Sequence, residues 1–285
     1  MIKGLEHKPS YNFFAILPAL FVFLALLLFP LLYEFILAFQ TFGGELSLKN
    51  VLYVIFDPLY RASLIHLIIY ITLDIALKFG LGLITAIALR QFRWGKILWG
   101  ILLLPWTIPL IPALFIWYCF YHPEWGTINY LLRSSGLIKV PILFLGDPTI
   151  ALYSVIWAHA WRFTPLWTTT LLAGLYGIPE EYYESAKVDG ATPYKTFIKI
   201  TLPMIKKFLL MNAVLSLIWT AGDFASVWVL TRGGPADSTH IVGSYAYWFM
   251  LAEGNFNIAA AALVCALPLI VFLMVIFMKI LQWRR

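Results

Sequence analysis

The chain has 285 residues, of which 62% are hydrophobic and only 12% charged, whereas soluble domains are usually about half apolar and a quarter charged. With a mean hydropathy of +0.85 this excludes a water-soluble domain and places the chain in a bilayer. The net charge of +6 and pI near 9.2 are accounted for by basic loops facing anionic headgroups, so no nucleic-acid partner is called for.

In lipid every backbone amide must be satisfied internally, and apolar runs of about 20 residues do this as helices. Six such spans are read, over residues 13–39, 63–89, 97–121, 149–175, 202–230 and 258–283. Lys3 and Lys8 precede the first in the manner of a signal peptide. Its apolar run is longer than a signal h-region and no small-residue cleavage site follows, so it is read as a retained span behind a tail over residues 1–12.

The second span carries Asp74 and Lys78, four apart and hence on one helix face. Either alone would cost about 2.5–3.5 kcal/mol at mid-bilayer, so they are expected to pair, as a structural ion pair or in the pathway or gate. The third carries Pro105, Pro109 and Pro112, each lacking a backbone donor, which predicts a kinked or broken helix. Such backbone is tolerated against protein or a water-filled cavity, so this span is expected to face the bundle interior; a packing kink without a transport role fits the same prolines.

Arg162 in span four and Asp223 in span five have no local partners and are expected to face the interior, paired with each other or with a partner subunit. Along span five, Asn212, Ser216, Trp219 and Asp223 recur at three or four residues and put polar and aromatic groups on one face. With Arg162 they form the candidate translocation path. The same face also suits packing, with Trp219 against lipid and Asn212 in an interhelical hydrogen bond.

The basic residues orient the chain. Of 20, five (Lys49, Arg61, Arg133, Lys139 and Arg232) fall in loops on one side, Lys78 and Arg162 lie within spans, and the other thirteen fall on the opposite side. By the positive-inside rule both termini are cytoplasmic. Asp57-Pro58, His122-Pro123, Asp147-Pro148 and Gly233-Gly234-Pro235 are loop signals that all fall on the outer face. Aromatics at 17% suit interfacial belts better than sugar stacking. Cys119 and Cys265 lie inside spans, where neither a disulfide nor a metal site is expected. His7, His66, His122, His159 and His240 form no pair at metal-ligand spacing and are assigned no chemistry.

Between spans four and five lies a polar insert, residues 176–203. Pro179 suits a first helical position, with Glu180, Glu181 and Glu184 near the positive end of the helix dipole. The helix should run to about Asp189, Gly190 suits the left-handed residue that ends it, and Thr192-Pro193 would cap and begin a second helix. Ser185, Ala186 and Ala191 are small enough for another protein to approach the backbone, and Glu184 and Asp189 place carboxylates at the edge. A docking knob and an amphipathic helix on the headgroups both fit.

Here the residues resemble the signature loop of permease subunits in binding-protein-dependent ABC importers: Glu-Ala-Ala, three residues, Gly, nine residues, Ile, one residue, Leu-Pro. The chain supplies Glu184, Ser185, Ala186, Gly190, Ile200, Leu202 and Pro203 at every required spacing, with Ser185 as the one departure. Residues 102–132 and 227–239 resemble the carbohydrate branch, of the maltose and glycerol-phosphate type, although Arg232 stands where that branch commonly has Gly. The likeness covers about residues 13–285.

The resemblance implies a polytopic all-α membrane protein of six spans with the type I importer permease fold. Its insert would be a coupling helix seated in a cleft of the ATPase subunit, with Glu184 and Gly190 as contacts and Asp189 and Ala191 beside them. It further implies a second, similar or identical permease subunit, two ATPase subunits, an extracytoplasmic solute-binding protein, a sugar cargo and a prokaryotic plasma membrane. No G-x-x-x-x-G-K-[ST] phosphate loop occurs, so no cofactor is expected on this chain, and ATP and Mg are expected at the partner ATPase. Two rivals remain. An ion-gradient-driven transporter or channel lacks an evident inverted repeat and would have no use for the docking loop. A membrane-embedded enzyme would need a nucleophile–base or metal constellation, and none is found.

Overall fold

A computed structural model describes residues 9–282. Lys3, Lys8, His7, Arg284 and Arg285, most of the 1–12 tail and Trp283 at the end of the sixth expected span lie outside the described residues. What is described is helical, without a β-strand: a bundle built around two long helices.

The first span forms as α1 (Ile16–Ala38). A π-type turn over Leu24–Leu28 interrupts it, just ahead of Pro30, which has no amide to continue the ladder. None of its most apolar stretch is buried inside the chain. After α2 (Lys49–Phe56) comes α3 (Pro58–Gln91), whose 34 residues reach roughly 50 Å at 1.5 Å per residue. It begins five residues before the expected span because Asp57-Pro58 is a cap: the Asp57 carboxylate accepts from the Leu59 amide at 2.9 Å, and Pro58 occupies a first-turn position that needs no donor.

The third span is broken as expected. α4 (Gly95–Thr107) and α5 (Leu110–Phe120) meet at 95°, with Pro109 as the N-cap of α5. A short α6 (Thr127–Ser134) leads to α7 (Ala151–Tyr176), which packs along α3. The two helices approach so closely that a Cβ on Gly82 would stand 2.7 Å from Trp167 Cβ. Leu67, Tyr70 and Ile71 of α3 and Val155, Ile156 and Leu171 of α7 are fully or almost fully buried and form the centre of the core.

The insert forms α8 (Glu180–Val188) and α9 (Pro193–Met204). The expected continuous span 202–230 is instead divided. α9 and α10 (Lys206–Ala221) are bent by 63° at Ile205, and the chain breaks again at residues 222–224 before α11 (Ala225–Leu230). The first bend follows from Pro203, which lacks an amide and is again preceded by a π-type turn, Phe197–Thr201. The second has a side-chain cause: Asp223 Oδ1 accepts from the Ser226 amide at 3.2 Å, so α10 stops at Gly222 and a new helix starts. The stretch 231–257 contains α12 (Val242–Leu251), and the last span forms as α13 (Phe256–Gln282). Ala259–Ala262 are buried on α13, small residues that let helices approach within a membrane.

Three single helices, α1, α3 and α13, are long and apolar enough to cross a membrane among the described residues, as are the bent pairs α4–α5 and α9–α10 if each counts as one span. α7 is not in this set. It carries His159, Arg162 and Thr168–Thr170, and its surroundings are protein: Ala151, Leu152, Ala158 and Ala160 are all buried.

Long-range contacts sort the loops to the two ends of α3. At its C-terminal end Arg90 pairs with Glu180 at 3.1 Å, which brings the basic 90–96 loop beside the insert. At its N-terminal end Tyr245 donates to Asp57 at 2.5 Å, which brings residues 231–251 to the side bearing the proline-marked loops.

Candidate functional site

Two places gather the residues that the sequence singled out. The first is a polar cluster where α3, α7 and α10 meet. Asp74 and Lys78 pair at 2.5 Å with neither side chain exposed. Asp74 also accepts from Thr220 Oγ1 of α10 at 2.7 Å and contacts His159 Nδ1 of α7 at 2.8 Å. An ionised carboxylate only accepts, so Nδ1 carries the hydrogen in this contact. The other ring nitrogen, Nε2, lies 3.7 Å from Asp223 Oδ2, and Tyr70 of α3 donates to that oxygen at 2.6 Å. Lys78 Nζ stands 4.8 Å over the Phe163 ring, which leads outward to Trp219, 5.7 Å away. A buried ion pair needs further partners to offset its desolvation, and here the Asp74 carboxylate is met from three helices.

The Asp223–Arg162 pairing is not formed. Arg162 donates to the Ile108 carbonyl at 3.2 Å, which Pro112 four residues on has no amide to satisfy. The broken third span thus takes the Arg162 guanidinium. Asn212 donates to Thr170 Oγ1 at 2.5 Å and Ser216 accepts from Trp167 Nε1 at 2.7 Å, both at the contact with α7. Trp219 is 46% exposed. The expected face of α10 therefore divides: its first two residues join helices, and its last two approach an open surface.

Sequence reasoning gave His159 no chemistry and did not single out Tyr70 or Thr220. A lone histidine within an intramembrane segment was itself the available signal, since such groups face a bundle interior and meet partners there.

The second place is the α8–α9 hairpin. Pro179 is the N-cap, with φ −57° and ψ 137°, rather than the first helical residue, because its extended ψ carries the chain in from Ile178. Glu180 opens the helix. Gly190 has φ +70° and closes a Schellman motif: Gly190 N–H donates to the Lys187 carbonyl at 3.1 Å and Ala191 N–H to the Ala186 carbonyl at 2.9 Å, a turn that favours glycine. Thr192 caps α9 by accepting from the Lys195 amide at 3.3 Å, with Pro193 at the first position. Arg90 fastens the hairpin to α3 by its Glu180 pair, a 3.1 Å hydrogen bond to the Tyr183 hydroxyl and a stack over that ring at 4.8 Å. Tyr183 in turn meets Thr201 Oγ1 at 3.2 Å.

Ala186 faces inward, and Glu184, Ser185, Asp189 and Pro203 face out. Beside them Val188 and Tyr194 are 86% and 76% exposed. Ala191, Ile200 and Leu202 are half-buried between the two surfaces. Among the described residues no group of His, Cys, Asp and Glu has the arrangement of a metal site.

The pattern of the family described as the binding-protein-dependent transport system inner membrane component matches residues 78–285, which takes in the hairpin and the polar cluster from Lys78 on. Over its whole length the chain is 30% identical to the trehalose/maltose transport system permease protein MalF of Thermococcus litoralis, covering 97% of that protein. It is 29% identical over 81% of its length to the lactose transport system permease protein LacF of Rhizobium radiobacter, covering 80% of that protein. Among solved structures, a chain of a bacterial ABC transporter involved in import of the acidic polysaccharide alginate shares its fold, with a TM-score of 0.84 at 21% identity and 96% of each chain covered. A second structure of a bacterial alginate ABC transporter, in complex with an alginate pentasaccharide-bound periplasmic protein, gives a TM-score of 0.82 at 21% identity, covering 95% of this chain and 93% of that one.

Proposed function

The chain belongs to the binding-protein-dependent transport system inner membrane component family, and on that premise we propose that it is the membrane-spanning subunit of an ATP-driven importer of a sugar. It is a transport subunit, not an enzyme, and ATP and Mg belong to a separate ATPase. The observation that carries the coupling is the α8–α9 hairpin, tied to α3 by Arg90 at one surface and presenting Glu184, Ser185 and Asp189 at the other. In this reading Glu184, Ser185, Asp189 and Pro203 meet the cleft of the ATPase. Ala186, Gly190 and Ala191 shape the turn, and Ile200 and Leu202 seat the second arm.

ATP-driven closure of two ATPase subunits would move the hairpin as a lever and switch the bundle between inward-facing and outward-facing states. The importer would contain a second permease subunit and receive its cargo from an extracytoplasmic binding protein. The 13–285 unit would cross a prokaryotic plasma membrane six times, α7 included, with both termini in the cytoplasm. The cargo would pass Trp219, Asp223 and Arg162, with Asn212 and Ser216 fixing α10 behind them. The likeness to sugar permeases along the chain, together with the hairpin, favours ATP drive over an ion-gradient-driven transporter or channel.

The test is a strain lacking this chain, given radiolabelled trehalose, maltose, lactose and a wider carbohydrate panel. Uptake of at least one sugar should be lost and restored by the intact gene. Unchanged uptake of every sugar would overturn the cargo assignment.

A further inference from the structure

The break at residues 222–224 leaves Asp223 outside both helices that flank it, so no helical ladder fixes the direction of its carboxylate. Something else does. Oδ2 is met by the Tyr70 hydroxyl at 2.6 Å and faced by His159 Nε2 at 3.7 Å. The two rings are themselves in edge-to-face contact, centroids 5.4 Å apart. His159 is oriented in turn by Asp74 at 2.8 Å through its other nitrogen, and Asp74 is held by Lys78 and by Thr220. Thr220 lies three residues before Asp223, so the same buried carboxylate anchors the last turn of α10 and, through His159, the residue just past its end. Oδ1 accepts from the Ser226 amide alone among the described residues, at 3.2 Å. A carboxylate oxygen has two acceptor directions, and the Asp223 side chain remains 8% exposed.

We propose that Tyr70, His159 and Asp74 are positioning residues that aim the Asp223 carboxylate, through a buried brace, at a hydroxyl of the passing cargo. A braced acceptor loses less freedom when it binds than one that swings, and the difference appears as affinity. Asp74 turns the His159 ring through Nδ1, and the ring bears on Asp223 by its edge-to-face packing against Tyr70, whose hydroxyl is the donor to Oδ2. The inference rests on the reading that Asp223 lines the path.

The experiment uses the complete importer in proteoliposomes with ATP and the binding protein. Its probe is the radiolabelled sugar whose uptake the deletion strain loses; if no sugar is lost, the transport reading and this inference fall together. Asp223→Asn, Tyr70→Phe and His159→Gln are compared singly, and each of the last two is combined with Asp223→Asn. Each single change is expected to raise the uptake KM about tenfold, with the maximal rate per assembled complex within about twofold. In the Asp223→Asn background neither Tyr70→Phe nor His159→Gln should add more than about twofold, since residues acting through one group do not act independently.

A purely structural role would lower the yield of assembled complex and leave KM in place. Effects that multiply in the double variants, or a Tyr70→Phe importer with unchanged KM, would overturn the brace while leaving the path reading intact. An Asp223→Asn importer with unchanged KM would remove the path reading itself. If His159→Gln fails to assemble, Tyr70→Phe decides, because it keeps the ring and its packing and removes one hydroxyl.

Discussion

Asp74 sits in the membrane-spanning core without exposed surface and still holds its charge partner, because Lys78, Thr220 and His159 reach it from three helices. Removing one member of a buried pair leaves the other charge uncompensated, which costs about 3–5 kcal/mol. Asp74→Asn should therefore lower the thermal midpoint of the detergent-purified protein well beyond the scatter of surface changes; an unmoved midpoint would show that Lys78 finds another partner. The pair itself was readable from its i, i+4 spacing. His159 was not, since its partner Asp74 is 85 residues away in the chain and only the α3–α7 packing brings them together. Arg162 illustrates the converse. Sequence offered Asp223 or a partner subunit as its partner, and the structure supplies the Ile108 carbonyl, which Pro112 has no amide to satisfy.

The α8–α9 hairpin is the element most completely written in local sequence. Gly190, Thr192 and Pro193 act through backbone geometry and capping, which depend on immediate neighbours. Only Pro179 moved, by one position, from first helical residue to cap. Span five was less legible. Its apolar run continues across residues 222–224, and at the break the Asp223 side chain accepts from the Ser226 amide in the first turn of the next helix, a choice that hydropathy does not register. Because Glu184 is exposed and has no fold partner among the described residues, Glu184→Lys should leave stability within about 0.5 kcal/mol. It should reduce ATPase capture in a pull-down and cut uptake at least about tenfold if the hairpin carries the coupling. Intact capture and uptake would remove the hairpin from that role.

Across the whole molecule, hydropathy and burial divide the helices. α1 and α13 are the most apolar and leave much of their surface open, as expected where lipid or another subunit covers them. α7 is less apolar and buries more than half of its residues against its own chain. Composition could place the protein in a membrane but could not rank the spans by position, since a polar central helix is tolerated only where protein surrounds it. The two ends of α3 gather the two sets of loops, one with the hairpin and one with residues 231–251, so a push at the hairpin has a continuous helix of 34 residues along which to act. The most direct measurement of this account is sugar uptake into proteoliposomes that carry the assembled importer with either intact or hydrolysis-dead ATPase subunits. Accumulation should require ATP and vanish with the dead subunits; accumulation that persists with them, driven by an ion gradient, would contradict the central claim.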